Sequence, residues 1–289
     1  MTLRNALVGT LAVVSLAACG TTTPSADNGK IQVVTSTNVW GSVIKAVGGD
    51  AVEVKALLDD PSADPHSYES KPADAALIKD AKLVVFNGGG YDDFFPKLIT
   101  TEDQKKIEAF PLREHANDEN EHVWYDLHTV RAVAEAAANE LGAIAPDKKT
   151  TFESNTANFS AKLEELEKKV DGSGKGRKVV ATEPIAHYLL AESGAEDVTP
   201  EAFSKAIEEE SDVPAAALAA TNQLVENKQV NVLIDNTQTE NQVTKGIVEK
   251  AKTANIPVVA VTETLPEGVT GYLDWMSKQV DALSQALKA

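Results

Sequence analysis

Short apolar runs alternate with amphipathic stretches along the first half of the chain. The apolar runs have the length and the β-branched content of buried strands, and the stretches between them have helical spacing. We expect strands at 30–37, 51–58, 81–89 and 105–110. We expect helices at Val39–Val47, Pro72–Lys79, Tyr91–Leu98 and Leu127–Leu141. Alternation of this kind predicts a parallel β-sheet flanked by helices.

The same alternation starts again in the second half of the chain. Strands are expected at 177–183, 229–236 and 256–263. Helices are expected at Pro184–Ala191, Pro214–Glu226, Gln242–Ala254 and Thr270–Leu287. The repetition predicts a second α/β lobe.

A long stretch without glycine or proline, Lys148 to Val170, separates the two halves. Its apolar residues fall at helical spacing and form one stripe, which predicts a long amphipathic helix. The stripe consists of Phe152, Phe159, Leu163, Leu166 and Val170. We therefore expect an N-terminal lobe at 30–146, a linking helix at 147–171 and a C-terminal lobe at 172–289. A helical link predicts little relative motion of the lobes.

The N-terminus has the features of an export signal. Arg4 precedes an apolar run from Ala6 to Ala18 that is too short to span a bilayer. Leu16-Ala17-Ala18-Cys19 resembles a bacterial lipobox, which predicts a signal peptide at 1–18 and lipidation of Cys19. Polar residues 19–29 then read as a flexible tether. The expected location is the outer face of the cytoplasmic membrane, with a lipid anchor as the only membrane contact.

Composition adds two restrictions. The formal net charge of −17 argues against binding to nucleic acid or to an anionic membrane surface. The same charge would attract cations to a cleft, although it also serves solubility alone. Cys19 is the only cysteine, so a disulfide within the monomer is excluded.

Ligands of open α/β sheets bind beyond the carboxyl ends of the strands, so the residues that follow each strand are the candidates for a site. His66, His115, His122 and His187 lie on or one turn past such connections, and Glu183 directly follows a strand. Imidazoles with a carboxylate at one cleft suit a divalent first-row metal. The sequence has no HExxH motif and no Walker A loop, and 87–94 lacks the spacing of a dinucleotide fingerprint.

Several segments together resemble one family. They are "DPHSYE" (64–69), "NGGGYDDF" (87–94), "EHVWYD" (121–126), "ATEPIAHYLL" (181–190) and "VTETLPEGVTGYLDWM" (261–276). In this order around a linking helix, they resemble the zinc- and manganese-binding lipoproteins of bacterial ABC importers. The resemblance covers essentially all of the mature chain. It implies a monomeric binding protein, not an enzyme, that captures Zn²⁺ or Mn²⁺ between two lobes and delivers it to a membrane permease.

The resemblance also implies a ligand set. His66 matches the first ligand of the family, His122 the second, and Glu183 the third, which is His or Glu in the family. His187, one helical turn after Glu183, stays open as a ligand, as a supporting residue or as neither.

The fourth ligand is where this chain departs from the family. Many members have an aspartate before the tyrosine of the last helix, whereas Val269 to Tyr272 contains no carboxylate. The fourth position stays open between water, Asp235, Glu240 and Glu263. An oxygen-rich set suits manganese, iron or zinc, and more histidine would favour zinc.

Three other functions remain as alternatives. A zinc hydrolase also uses two histidines, a glutamate and an open position, but no other catalytic motif accompanies them. A lipoprotein adhesin with a structural metal is compatible with the sequence. The linking helix and the histidines argue against a binder of organic solutes. The acidic loop at 113–122 either collects cations or is only a solvated loop.

Overall fold

The computed structural model describes residues 29–61, 68–101, 103–114 and 116–289. Two separate parallel sheets of four strands each account for the strands in these ranges. The first sheet contains β1 (Ile31–Thr37), β2 (Val52–Leu58), β3 (Leu83–Phe86) and β4 (Lys106–Glu108). The second contains β5 (Lys178–Ala181), β6 (Glu196–Asp197), β7 (Val232–Asn236) and β8 (Val258–Val261). Both the α/β fold class and the seven predicted strands are confirmed.

The two sheets have the same topology. Their strand orders are β2-β1-β3-β4 and β6-β5-β7-β8, so in each the chain crosses from the second strand back over the first. The central strands β3 and β7 are buried along their whole length, as both faces of a parallel sheet are covered by helices. Each sheet thus has a switch point between its two central strands, where open α/β sheets bind ligands.

Helices cover both faces of each sheet. In the first half they are α1 (Asn38–Gly48), α2 (Pro72–Asp80) and α3 (Leu127–Ile144). The long helix is α4 (Lys149–Val170). In the second half they are α5 (His187–Ser193), α6 (Glu201–Glu208), α7 (Ala215–Glu226), α8 (Gln242–Thr253) and α9 (Tyr272–Lys288).

The linking helix α4 lies where the apolar stripe predicts it. All five stripe residues are buried, and the opposite face of the helix carries charged residues. The helix packs against α1 and α3 of the first half and against α5 and α9 of the second. The rings of Phe159 and Tyr272 lie with centroids 6.1 Å apart, so the last helix of the chain folds back onto the link.

One hydrophobic core extends through both halves of the molecule. It includes Val33 and Val85 of the first sheet, Leu163 of the link, and Val179 and Ile234 of the second sheet. Because these side chains form one continuous cluster, relative movement of the two sheets would disturb close packing.

Hydrogen bonds also join the two halves. The Tyr125 hydroxyl donates to the Thr262 carbonyl at 2.9 Å, and the Tyr272 hydroxyl donates to the Trp124 carbonyl at 2.7 Å. The Leu265 amide donates to Asn38 Oδ1 at 3.0 Å. All three lie near the strand ends that face each other.

Two parts of the predicted secondary structure are wrong. The helix expected at Tyr91–Leu98 is a series of turns that ends in a 3₁₀ turn at Pro96–Leu98. Three glycines with positive φ, Gly88 to Gly90, precede it, and the Asp92 carboxylate accepts from the amides of Asn87 and Gly88 instead of capping a helix. The helix expected from Pro184 begins with a 3₁₀ turn at Pro184–Ala186.

Sequence patterning also missed β6 and α6. The strand β6 has only two residues, which is too short to show a pattern. The helix α6 has eight residues, and Pro200 at its N-cap gives no hydrogen-bonding side chain. Within the residues that the structure describes, no helix combines the length and the apolar character needed to cross a membrane.

The link offers a test of the shared core. Leu163 is fully buried on α4, so Leu163→Ala should lower the free energy of unfolding by about 2–5 kcal/mol. Its neighbour Lys162 is exposed, and Lys162→Ala should stay within about 0.5 kcal/mol of the unmodified protein. Urea unfolding measures both. Equal effects of the two substitutions would contradict the packing described.

Candidate metal site

The carboxyl ends of the second sheet bring three polar side chains together. Asn236 is the last residue of β7. Glu183 follows β5 by two residues, and Glu263 follows β8 by two residues. Because parallel strands end at one edge of the sheet, these residues converge although they are far apart in sequence.

Asn236 holds the two carboxylates side by side. Its Nδ2 donates to Glu183 Oε2 at 2.7 Å and to Glu263 Oε1 at 2.9 Å. The Thr239 hydroxyl also donates to Glu183, and the Tyr91 hydroxyl donates to Glu263 Oε2 at 3.1 Å. Glu183 and Glu263 are only 3% and 1% exposed. Buried carboxylates require such donors, since desolvation of an unpaired charge is costly.

His122 approaches this pair from the first half of the chain. It is 1% exposed and precedes a 3₁₀ turn at Val123–Tyr125. Its ring lies against the rings of Trp124 and Tyr91, with centroids 5.1 and 6.1 Å away. Asn87, directly after β3, donates from Nδ2 to the Glu121 carbonyl at 2.8 Å and so ties this segment to the end of the first sheet.

Two further carboxylates complete the cluster around His122. Glu121, His122 and Glu208 each offer one ligand atom, and these atoms all lie within 4.8 Å of one another. His122 Nε2 is 3.8 Å from Glu208 Oε1. Glu208 is the last residue of α6, and its side chain is 23% exposed.

The electrostatics of the cluster follow from burial and like charge. Desolvation, together with the smaller effect of the like charges of Glu183 and Glu263, raises the pKa of Glu208 to about 7. Desolvation also raises the pKa of Glu121 to about 7, with Glu208 and Glu263 as the main like charges. The site therefore has more negative charge than it can hold without protons or a cation. A divalent ion among these oxygens would relieve the repulsion.

Two of the predicted ligands lie in this cluster, and others lie outside the described residues. The structure brings His122 and Glu183 to the same edge between the sheets. His66, Cys19 and His115 fall outside the ranges that the structure describes. Pro61, the last residue described before His66, contacts a residue of the site: Gln238 donates from Nε2 to the Pro61 carbonyl at 2.6 Å. Gln238 Oε1 also accepts from the amides of Glu263 and Thr264.

His187 occupies a different place from Glu183. Its side chain is 40% exposed, and its Nε2 lies 2.7 Å from Asp118 Oδ2. The 3₁₀ turn at Pro184–Ala186 intervenes between the two residues, so the spacing of a regular helix does not apply.

His128, 37% exposed on α3, lies 4.0 Å from carboxylates of Glu114 and Glu167.

The three carboxylates considered for the fourth ligand differ in position. Asp235 precedes Asn236 on β7, so its side chain points to the opposite face of the sheet. Burial raises the pKa of Asp235 to about 6, with Glu240 the largest like charge. Glu240 has a side chain that is 37% exposed and lies 3.4 Å from Lys245 Nζ. Of the three, only Glu263 shares a hydrogen-bond donor with Glu183.

Glu208 and Asn236 are parts of the site that sequence analysis did not identify. Glu208 lies on the helix that patterning missed, within a run of acids that resembles a solvated surface. Asn236 is the last residue of a predicted strand, and its position at the strand end is the sequence feature that could have identified it as part of the site. Glu121 was considered only as a member of the acidic loop.

The architecture is that of two parallel α/β lobes, joined by one helix, with a buried polar site at their strand ends. The family described as the periplasmic component A of the zinc-uptake complex matches residues 33–286. The chain belongs to this family.

Individual relatives share a limited sequence identity with this chain. The zinc-binding lipoprotein AdcA of Streptococcus pneumoniae R6 is 27% identical over 96% of this chain and 60% of its own length. The chain thus spans about three-fifths of that relative. The iron ABC transporter substrate-binding lipoprotein MtsA of Streptococcus pyogenes serotype M1 is 27% identical over 72% of this chain and 77% of its own.

A solved structure shows the same fold. The periplasmic zinc-binding protein TroA of Treponema pallidum superposes with a TM-score of 0.75. The match covers 90% of this chain and 99% of TroA at 16% sequence identity. Because identity is so low, this likeness supports the architecture alone.

The raised pKa of Glu208 predicts how metal-free stability depends on pH. The folded protein holds the proton up to about pH 7, whereas the unfolded chain releases it near the ordinary value of 4.5. The stability from this group is therefore full below pH 4.5 and is lost as pH rises toward 7. Glu208→Gln should make the fall in melting temperature between pH 5 and pH 7.5 smaller.

Glu201→Gln serves as the control for this measurement, because Glu201 is exposed at the other end of α6. Thermal unfolding of the chelator-treated proteins across this pH range compares the variants. A Glu208→Gln variant with the same pH profile as the Glu201→Gln variant would show that Glu208 is not buried among like charges.

Proposed function

We propose that this protein captures a divalent first-row transition metal, Zn²⁺ or Mn²⁺, between its two lobes and delivers it to an ABC permease. The observation that carries the proposal is the concentration of ligand atoms around His122. The ligand atoms of one buried imidazole and of the carboxylates of Glu121 and Glu208 lie within 4.8 Å of one another. The paired carboxylates of Glu183 and Glu263 are near enough to raise the pKa of Glu208. Buried like charges of this density are neutralised best by a cation.

The proposed ligands are His66 and His122 for nitrogen and Glu183 and Glu263 for oxygen. His66 is included because it matches the family motif, and Pro61, five residues before it, contacts Gln238, which also binds the Glu263 amide. Glu183 is favoured over His187 because Glu183 is buried beside Glu263, whereas His187 is half-exposed and paired with Asp118. Glu208 is placed to add a further oxygen.

The donor set bears on the choice of metal. Carboxylate oxygens suit manganese and iron(II), whereas imidazole nitrogens suit zinc. The family is described by zinc uptake, and the relatives AdcA and MtsA are named for zinc and iron. We therefore propose a divalent first-row transition metal as the ligand, with Zn²⁺ and Mn²⁺ as the first ions to compare.

The rest of the proposal concerns delivery. Residues 1–18 would direct export, and Cys19 would carry the lipid that holds the protein at the outer face of the cytoplasmic membrane. Residues 19–29 would form the tether. The protein would act as a monomer, with the first lobe at 30–146, the link at 147–171 and the second lobe at 172–289.

Metal titration of the third ligand tests the proposed site. Glu183→Ala should weaken Zn²⁺ and Mn²⁺ binding by more than about 100-fold, since removal of a residue behind the ligands already costs about 10–100-fold. His187→Ala is the control and should change affinity less. Competition with a chelating dye measures both.

Two results of this titration would contradict the proposal. Failure of the unmodified protein to bind either metal stoichiometrically would exclude metal capture. A larger loss with His187→Ala than with Glu183→Ala would move the third ligand to His187.

A matched pair of substitutions tests the identity of the fourth ligand. Glu263→Gln keeps the size of the side chain and removes its charge, so metal affinity should fall by more than about 100-fold. Glu240→Gln makes the same chemical change at a half-exposed position and should leave the affinity within a factor of about three. Equal affinities of the two variants would return the fourth position to water or to Asp235.

A further inference from the structure

The side chain of Asn120 lies between the two proposed ligands His122 and Glu183. Asn120 Nδ2 donates to the carbonyl of Pro184 at 3.0 Å, and Pro184 directly follows Glu183. Asn120 Oδ1 accepts from the backbone amide of His122 at 3.0 Å. A carbonyl can only accept and an amide N–H can only donate, so these two contacts fix which end of the Asn120 side chain is oxygen.

This orientation determines the tautomer of His122. The ring atom Nδ1 of His122 lies 3.2 Å from Asn120 Oδ1. Because that oxygen is an acceptor, Nδ1 must carry the proton to form the hydrogen bond. Nε2 then has its lone pair on the side of Glu208, 3.8 Å from Oε1. A neutral histidine with its lone pair directed into a group of carboxylates is ready to bind a cation.

Asn120 is itself held from both lobes. The backbone amide of Asn120 donates to Asp118 Oδ1 at 3.0 Å, and its backbone carbonyl accepts from the Tyr188 hydroxyl at 2.6 Å. Asp118 Oδ2 lies 2.7 Å from His187 Nε2. Because His187 and Tyr188 both belong to α5, the acidic loop is fastened to the second lobe. This arrangement gives the loop a structural task and gives His187 a role that does not require a metal.

We propose that Asn120 is a positioning residue that couples the two metal ligands across the lobes. It would fix the ring of His122 with Nε2 directed at the metal and hold the chain that carries Glu183 at the same time. The role in metal binding rests on the proposed function, whereas the control of the tautomer does not. A single amide thereby makes the geometry of the ligand in one lobe depend on the position of the ligand in the other.

Two substitutions of Asn120 separate its contacts. Asn120→Ala removes the acceptor for His122 and the donor for Pro184. The Nδ1–H tautomer of His122 should then become less populated in the metal-free protein, and Zn²⁺ affinity should fall about 10–100-fold. Asn120→Asp keeps an acceptor for His122 but cannot donate to Pro184. It should keep the tautomer and lose less than tenfold in affinity.

The readout for the tautomer is the ¹⁵N chemical shifts of the imidazole nitrogens at a fixed pH near 8, with His122 assigned by His122→Gln. Asn155→Ala is the matched control. Asn155 is a half-buried asparagine that donates to the Val47 carbonyl at 2.9 Å, away from the site. It should leave both the tautomer and the affinity unchanged. Thermal unfolding of each variant shows whether the fold is kept.

The outcomes distinguish positioning from metal capture. An unchanged tautomer in a folded Asn120→Ala variant would overturn the positioning role, even if metal binds as proposed. A changed tautomer in a protein that binds neither Zn²⁺ nor Mn²⁺ would support positioning and exclude the proposed function. A loss of stability without any change in tautomer would show that Asn120 is only structural and would also overturn the inference.

Discussion

Mutual repulsion among buried carboxylates is the constraint on which the site depends. Glu121 and Glu208 lie beside the imidazole of His122. The charges of Glu208 and Glu263 raise the pKa of Glu121, and those of Glu183 and Glu263 raise the pKa of Glu208, in both cases after the larger effect of desolvation. Such a group is stable only when donors such as Asn236, bound protons or a cation offset the charge. Metal capture and pH dependence are therefore two consequences of one arrangement, since protons and metal compete for the same oxygens.

The fold supplies the rigidity that this arrangement requires. Each sheet presents its strand ends to the other, and the linking helix shares a single core with both. Hydrogen bonds from Tyr125 and Tyr272 join the halves close to the site. Since the carboxylates repel one another, their separation must be set by the surrounding packing. The interactions of Asn120 and Asn236 then orient individual side chains within that frame.

The sequence predicted the architecture better than the site. Hydrophobic periodicity located the strands and the linking helix because burial dictates those patterns. His122 and Glu183 were predicted as ligands because they follow strands and match a family motif, and the structure places both at the carboxyl ends of strands between the lobes. Glu208 was missed because its helix is short and its neighbours are acidic. Glu263 stayed one of several candidates, because its burial and its hydrogen bond from Asn236 are set by tertiary structure and leave no pattern in the sequence.

Anomalous diffraction from crystals grown with Zn²⁺ or Mn²⁺ tests the central claim most directly. Data collected on both sides of the absorption edge of the metal locate the ion without assumptions about its ligands. We predict one strong peak between the lobes, bonded to His122 Nε2 and to carboxylate oxygens of Glu183 and Glu263. A peak at His187 and Asp118, or no peak at the carboxylate cluster, would contradict it.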